Sequence, residues 1–363
     1  MEVIEDVKKQ RSRKIENDII IKEHIKQKDR VRMFTGSTLV DLVTGGDKDV
    51  YGYEAGKIYN IVGDSSTGKT FLAVESIAHN LKKYGKKLKF NYDDCEEGCT
   101  LDSEKLFGFQ VVTEKTLRSH TIEDLFCNIT NFITKLKDDE FGMYFVDSLD
   151  ALNSEAGVER AEKRVMLQKK GKSLDAGSYN MEKQKFLSNE FFKELVSKLV
   201  TKNCCLVIIS QVRENIGVMF GEKYTRAGGK ALDFYAHSCI WLAVIEKIKK
   251  NERQVGATIK VKTKKSKTPR PARECYLTFY FDYGIDDITG NIDFLFELRT
   301  PKGEVKKDTT FEWEGQEFTR SDFITFIEEN NLESALQKKV VEKWENIEFE
   351  IKTERKGKFI CQD

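Results

Sequence analysis

The sequence predicts an α/β fold with a mostly parallel central sheet, an N-terminal helical segment and a small C-terminal α/β appendage. Three observations carry this. Apolar runs of strand length alternate with helical runs, a Gly-rich turn joins the first such pair, and the chain changes character near residue 286. Strand-like runs near 58–62, 88–92, 142–147 and 204–210 are separated by helical runs near 71–84, 121–137 and 183–201. That rhythm marks βαβ units whose ligand sits beyond the strand carboxyl ends. Strand-like segments at 239–246, 257–263 and 276–282 extend the sheet with antiparallel pairing. The chain divides into residues 1–33, 34–285 and 286–363.

At 363 residues the chain is long enough for one large α/β domain with attachments. Charged residues make up 33%, yet the formal net charge is +1, so a basic contact surface must come from local patches. No apolar run reaches transmembrane length and no signal-peptide core opens the chain, so no membrane role and a cytoplasmic location are expected. The eight cysteines and four histidines lack the paired spacing of a zinc site and are read as reduced.

In the first thirty residues Ile15, Ile19, Ile20 and Ile25 recur at helical spacing. Such a helix needs a surface, either on a neighbouring subunit or on its own domain. Gly63-Asp64-Ser65-Ser66-Thr67-Gly68-Lys69-Thr70 then follows the apolar run 58–62 and opens a helical run at Phe71. Glycines at these places let backbone N–H groups turn onto phosphate oxygens at a helix N-terminus. Lys69 reaches the β- and γ-phosphates, and the Thr70 hydroxyl ligates Mg²⁺.

Met143-Tyr144-Phe145-Val146-Asp147 is a buried strand ending in a carboxylate, which supplies the second metal anchor. Asp150 is the rival acid, placed beyond the strand end. A base to orient or deprotonate water is sought after the strand at 88–92, among Asp93, Asp94, Glu96 and Glu97, with Glu96 preferred to Glu97. So dense an acid cluster is costly through like-charge repulsion unless a cation or a function compensates.

Beyond the apolar run at 205–209 and Gln211-Val212-Arg213, the stretch Gly217-Val218-Met219-Phe220-Gly221 puts large apolar groups in a Gly-rich loop closed by Gly228-Gly229. Ile216, Met219 and Phe220 either fold back as core or wait for the bases of a splayed strand. Two basic stretches accompany the loop. Residues 160–173 hold six Lys or Arg against Glu162, and residues 251–275 hold eight against two Glu. In the appendage, Phe311-Glu312-Trp313-Glu314-Gly315 resembles a hairpin, Ser321 begins a helix, and a second helix covers 332–344.

With these motifs in order, the chain resembles the RecA family of DNA recombinases over about residues 34–290. Phe34-Thr35-Gly36-Ser37, the phosphate loop, Val146-Asp147-Ser148-Leu149, Gln211-Val212-Arg213, Ile216–Gly221 and Gly228–Ala236 all fall in family order. The missing proline at the second phosphate-loop position and the short N-terminal region are more similar to a bacteriophage member, acting in the host cytoplasm.

The resemblance implies an ATP-dependent recombinase that forms helical filaments on single-stranded DNA and exchanges strands with homologous duplex DNA. Single-strand-binding and mediator proteins are implied partners. ATP and Mg²⁺ are the implied cofactors, held by Gly63, Asp64, Ser65, Ser66, Thr67, Gly68, Lys69, Thr70, Phe71 and Asp147, with Thr70 and Asp147 on the metal. Glu96, Lys69, Gln211, Lys265 and Lys267 form the implied catalytic set. Gln211 would sense the γ-phosphate, and the two later lysines would reach a neighbour's ATP, with Lys262 and Lys264 able to shift into their places. Phe234 would contact the adjacent protomer.

Met181, Arg213, Ile216, Met219, Phe220, Arg226, Gly228 and Gly229 are the implied DNA contacts. The first DNA-binding loop, between Leu152 and Lys183, is longer and more basic than the family's usual one. A hexameric helicase with this core would bring a larger N-terminal domain. A KaiC-like regulatory ATPase, with similarly paired glutamates, would lack the apolar loop and often carry two phosphate loops.

Overall fold

The computed structural model describes residues 31–45, 51–170, 180–214, 224–226, 229–268, 271–306 and 309–353. The strands are β1 (Arg32–Met33), β2 (Tyr53–Glu54), β3 (Ile58–Gly63), β4 (Leu88–Asp94), β5 (Phe141–Asp147), β6 (Cys204–Glu214), β7 (Tyr224–Arg226), β8 (Ser238–Lys250), β9 (Arg253–Ser266), β10 (Glu274–Tyr280), β11 (Gly284–Ile285), β12 (Thr310–Trp313) and β13 (Gln316–Thr319). The helices are α1 (Thr38–Gly45), α2 (Lys69–Tyr84), α3 (Ser103–Phe107), α4 (Ile122–Lys135), α5 (Glu155–Lys169), α6 (Asn180–Phe186), α7 (Phe192–Thr201), α8 (Gly229–Tyr235), α9 (Asp287–Leu295), α10 (Arg320–Glu329) and α11 (Glu333–Glu350). A π-helical turn, Leu187–Phe191, joins α6 to α7.

The main sheet runs β11-β10-β9-β8-β3-β6-β5-β4, with β7 paired to the far end of β6. β8, β3, β6, β5 and β4 are parallel to their neighbours in that order. β9 and β10 continue antiparallel, as expected, and β11 closes that edge; β8, expected within the antiparallel extension, instead joins β3 in parallel and turns antiparallel only toward β9. Alternation splits the central strands between two cores. Tyr59, Ile61, Met143, Phe145, Val207 and Ile209 pack on one face with Leu72 and Ile77 of α2. Ile58, Tyr144, Val146, Leu206 and Ile208 pack on the other, with Leu125 and Ile129 of α4 and Leu195 of α7. The capping box between Thr121 and Asp124 starts α4.

The first core continues without a break through Trp313, Phe323, Leu336 and Val340 of the C-terminal elements. There the β12–β13 hairpin and α10 stand where the sequence places them. α11 runs past Trp344 to Glu350, since the Glu-rich run 345–350 contains no Gly or Pro to break the helix. A second difference lies in the long basic stretch. Much of the expected loop is the helix α5, started by Ser154 accepting from the Gly157 N–H and made of Glu, Ala, Arg, Lys, Leu and Met. None of its residues is buried. The expected N-terminal helical segment, 1–30, lies outside the described residues. Among the described residues no helix is long and apolar enough to cross a membrane.

Candidate functional site

The site is assembled at the carboxyl ends of β3, β4, β5 and β6. β3 ends at Gly63, and the loop 64–68 turns into α2. Gly68 stands at φ +79, where a side chain is disfavoured, and a Cβ there would also meet the Phe279 ring at 2.8 Å. A Cβ at Gly63 would stand 2.3 Å from the Thr67 hydroxyl, so the loop closes only around glycine. Gly68 puts no capping side chain over the start of α2, so its first-turn N–H groups are uncapped by a side chain, an arrangement suited to an anion. The Lys69 ammonium donates to the carbonyls of Gly63 (3.0 Å) and Asp64 (2.8 Å), within the same cradle. Burial lowers its pKa, while Asp147, Glu96, Asp64 and Asp150 push it back up.

The Thr70 hydroxyl donates to Asp147 Oδ2 at 2.8 Å, and the Tyr92 hydroxyl donates to the same oxygen. Burial raises the Asp147 carboxyl above the ordinary range, with the bonds from Tyr92 and Thr70 opposing. A hydroxyl beside a half-buried carboxylate, next to a loop of N–H donors and a lysine, is a donor set that fits magnesium and a nucleotide's phosphates. Asp150 instead accepts the backbone N–H of Gln211 at 2.9 Å, so the two rival acids have different partners.

The four acids after β4 separate just as clearly. Asp93 is fully buried and accepts from the Ser119 N–H (2.8 Å), the Ser119 hydroxyl (2.6 Å) and the Tyr144 hydroxyl (2.7 Å). Asp94 accepts from the N–H groups of Gly98 (3.2 Å) and Cys99 (3.0 Å), which folds the loop onto itself. Glu97 turns outward to Arg118, 3.1 Å away. Only Glu96 points along the site: its Oε1 accepts from the Ser148 hydroxyl and from Gln211 Nε2 at 3.0 Å.

Gln211 therefore stands at two junctions. Its side chain touches Glu96, and its strand continues into the β6–β7 ladder, where Val212, Arg213 and Glu214 pair with Arg226, Thr225 and Tyr224. That ladder is the base of the apolar loop. Ile216, Met219, Phe220 and Gly228 lie outside the described residues, as do the side chains of Met181 and Arg213. Their flanks converge nonetheless. A Cβ at Gly229, the start of α8, would meet Gln184 of α6 at 2.9 Å, so the feet of both expected DNA-binding segments are neighbours.

Arg226, an expected DNA contact, points inward. It is 8% exposed, with its guanidinium on Asp233 and, at 3.4 Å, Cys239 Sγ. The β7 register turns it into the fold, against the Asp233 carboxylate of α8.

The expected intersubunit residues gather at the end of α8. Phe234 is 70% exposed, and the Lys267 ammonium lies 5.6 Å from its ring centre. Lys265 differs from its expected outward reach. Its ammonium binds the C-terminal carbonyls of α8, at Asp233, Phe234 (3.4 Å) and Ala236 (2.7 Å), where a cation complements the helix dipole. Lys262 pairs with Glu274 at 3.4 Å, and Lys264 stacks 3.5 Å above Trp241.

Sequence reasoning missed Tyr92 and Ser148, which hold the two carboxylates, and it missed a groove beside the phosphate loop. One part, about 290 Å³, is lined by residues 66–71, Gln254, Phe279 and Phe281. The other, about 520 Å³, runs along 98–102, Lys105 and Leu106 and ends at Phe281 and Asp282. The available signal was the aromatic run Phe279-Tyr280-Phe281 with Tyr283 at a strand end.

The profile described as the RecA N-terminal domain matches residues 2–286. Protein RecA of Leptospira meyeri is 28% identical over 275 residues, covering 71% of this chain and 61% of its own length. Protein RecA of Malacoplasma penetrans is 28% identical over 301 residues, covering 82% of this chain and 83% of its own length. Protein RecA of Geobacter sulfurreducens is 29% identical over 273 residues, covering 75% and 72%.

Proposed function

The chain belongs to the RecA family, and on that premise we propose that it is an ATP-dependent DNA recombinase. Its protomers assemble as a filament on single-stranded DNA, and the filament pairs that strand with homologous duplex. The observation that carries this reading is Gln211, which bonds Glu96 at 3.0 Å while its own strand forms the base of the apolar loop. A side chain so placed links the nucleotide site to the segment suited to DNA.

The loop 63–70 with Lys69 would cradle the β- and γ-phosphates, and Thr70 and Asp147 would hold Mg²⁺. Bound there, ATP supplies the phosphoanhydride that is cleaved and a ligand for the DNA-binding state. Glu96 orients the attacking water and takes its proton, with its carboxylate fixed by Ser148 and Gln211. Ile216, Met219 and Phe220 would stack on or wedge between bases, and Met181, Arg213, Gly228 and Gly229 would support the strand. Phe234 and Lys267 form the edge offered to the next protomer, which would complete the neighbour's site in trans. Lys265 would join that edge only by leaving its carbonyls on α8. No observation favours a ring helicase or a regulatory ATPase over this reading.

The test is ATP hydrolysis with and without single-stranded DNA, with electron microscopy of the same samples. DNA-stimulated hydrolysis together with helical filaments is expected. Hydrolysis indifferent to DNA, or closed rings that unwind forks, would overturn the reading.

A further inference from the structure

We propose that Glu75, six residues beyond the phosphate-loop lysine, is the positioning residue that holds the far wall of the nucleotide groove against α2. The inference rests on the ATP reading above and adds to it a residue outside every motif. The groove has three walls: the phosphate loop with Phe71, the segment from Gly98 to Leu106, and the turn at Phe281–Asp282. The third wall is held on its outgoing side by β9, where the Phe281 N–H donates to the Val255 carbonyl at 3.0 Å. It is the turn of the β10–β11 hairpin, whose ladder is only the two pairs Phe279↔Ile285 and Tyr280↔Gly284. Its tip is open, with Phe281 44% and Tyr283 56% exposed.

Glu75 ties the wall's return side to α2. Projecting from α2, its Oε2 accepts the backbone N–H of Ile285 at 2.7 Å. The contact is close-fitting on both sides. Gly284 stands at φ +102, and a Cβ there would lie 2.8 Å from Glu75 Oε2 and 3.4 Å from the Phe107 ring of α3. A Cβ at Gly36 would stand 3.0 Å from Glu75 Cγ. The return strand of the hairpin therefore meets α3 and the helix that opens at the phosphate loop around Gly284, with Glu75 as the bond to that helix. A groove wall tied to the same helix that binds the phosphates keeps a fixed distance from them. That fixed distance is what a nucleoside needs once its phosphates are seated.

The side chain is also unusual for its place. Burial raises its carboxyl to about 8. At neutral pH the group is thus chiefly the neutral acid, and a glutamine offers the same carbonyl acceptor to Ile285. This separates the acceptor role from the charge.

The experiment measures equilibrium binding of ATP, ADP and inorganic tripolyphosphate to the full chain carrying Glu75→Leu, Glu75→Gln or Lys69→Ala. Tripolyphosphate engages the phosphate loop but carries no nucleoside to be held by the Phe281 wall, so it reports whether that loop is intact in each folded variant. With Glu75→Leu, ATP and ADP affinities are expected to fall about tenfold, the scale of one buried hydrogen bond left unmade. Tripolyphosphate affinity is expected to stay within about twofold in the same variant. Glu75→Gln should restore nucleotide affinity. Equal loss of all three ligands, or loss of none, would overturn the proposal. Failure of the underlying ATP reading looks different: Lys69→Ala would then bind ATP as the wild type does, and the proposal would fall with it.

Discussion

In the parallel half of the sheet, β3, β5 and β6 are covered on both faces, whereas in the antiparallel half β9 and β10 are packed on one face only. Ile259, Val261 and Leu277 lie in the core. Lys260 and Lys262 between them face outward, opposite Ala243 and Trp241 on one side and Tyr276 and Glu274 on the other. In the first half, polar groups are collected at strand ends and bonded to one another, as in Thr70–Asp147–Tyr92 and Ser148–Glu96–Gln211. In the second they form a basic, aromatic surface. A sheet closed on both faces gathers its polar groups at the strand ends, whereas a sheet left open on one face presents its lysines to solvent.

The sharpest way to break the closed half is Lys69→Ala. Removing the one lysine of the cradle should abolish measurable ATP binding and hydrolysis, a loss of more than about a hundredfold on the scale of a phosphate clamp. Glu96→Gln comes next. It should lower kcat by about 10²- to 10⁴-fold, the range for a lost general base, while ATP affinity is retained. Glu97→Gln, whose carboxylate pairs with Arg118 at the surface, should leave kcat within about twofold. Equal losses in the two glutamine variants would sink the assignment of roles within the acid cluster.

These predictions also mark what could be read in the sequence. The parallel strands were legible because strands buried on both faces are continuous apolar runs. The phosphate loop was legible because its spacing encodes one backbone shape. Among the four acids, only Glu96 against Glu97 was ranked by sequence, since separating them takes partners far along the chain: Ser119 and Tyr144 for Asp93, and Ser148 and Gln211 for Glu96. Arg226 read as a DNA contact from its neighbours in sequence, but the β6–β7 register turned it inward to Asp233. The groove wall at Phe281 was invisible for the same reason. An aromatic at a strand end becomes a wall only when the hairpin lies beside α2.

A third prediction concerns the base of the closed half. Asp41 of α1 is buried, accepts the Thr35 N–H at 2.8 Å, and is raised by burial to about 8. Its folded value thus lies above the unfolded one of 3.8. Its contribution to stability is then full below about pH 4 and is lost as pH rises through about 8. Glu75, also raised to about 8, acts in the same direction. Asp41→Asn keeps the acceptor and removes the titration. Relative to wild type it should therefore gain stability at about pH 8.5 and gain little at about pH 5. Urea midpoints at the two pH values decide it, and an unchanged difference between them would return Asp41 to an ordinary ionised acid.

The smallest effects test the open half. Lys262 and Lys264 stand on its outer face with Trp241 between them, and Glu274 neutralises part of that face through Lys260 (2.8 Å) and Lys262 (3.4 Å). If this face meets a DNA backbone, Lys264→Ala should weaken DNA binding several-fold. It should also lower the slope of log affinity against log salt by about one unit, as expected for one lost phosphate contact. Glu274→Ala should act oppositely, strengthening binding by freeing both lysines, with ATP hydrolysis in the absence of DNA unaltered. The pair of variants matters more than either alone. Loss of packing lowers affinity whatever its sign of charge, but only an electrostatic surface makes removal of an acid and removal of a base move the same salt-dependent binding curve in opposite directions.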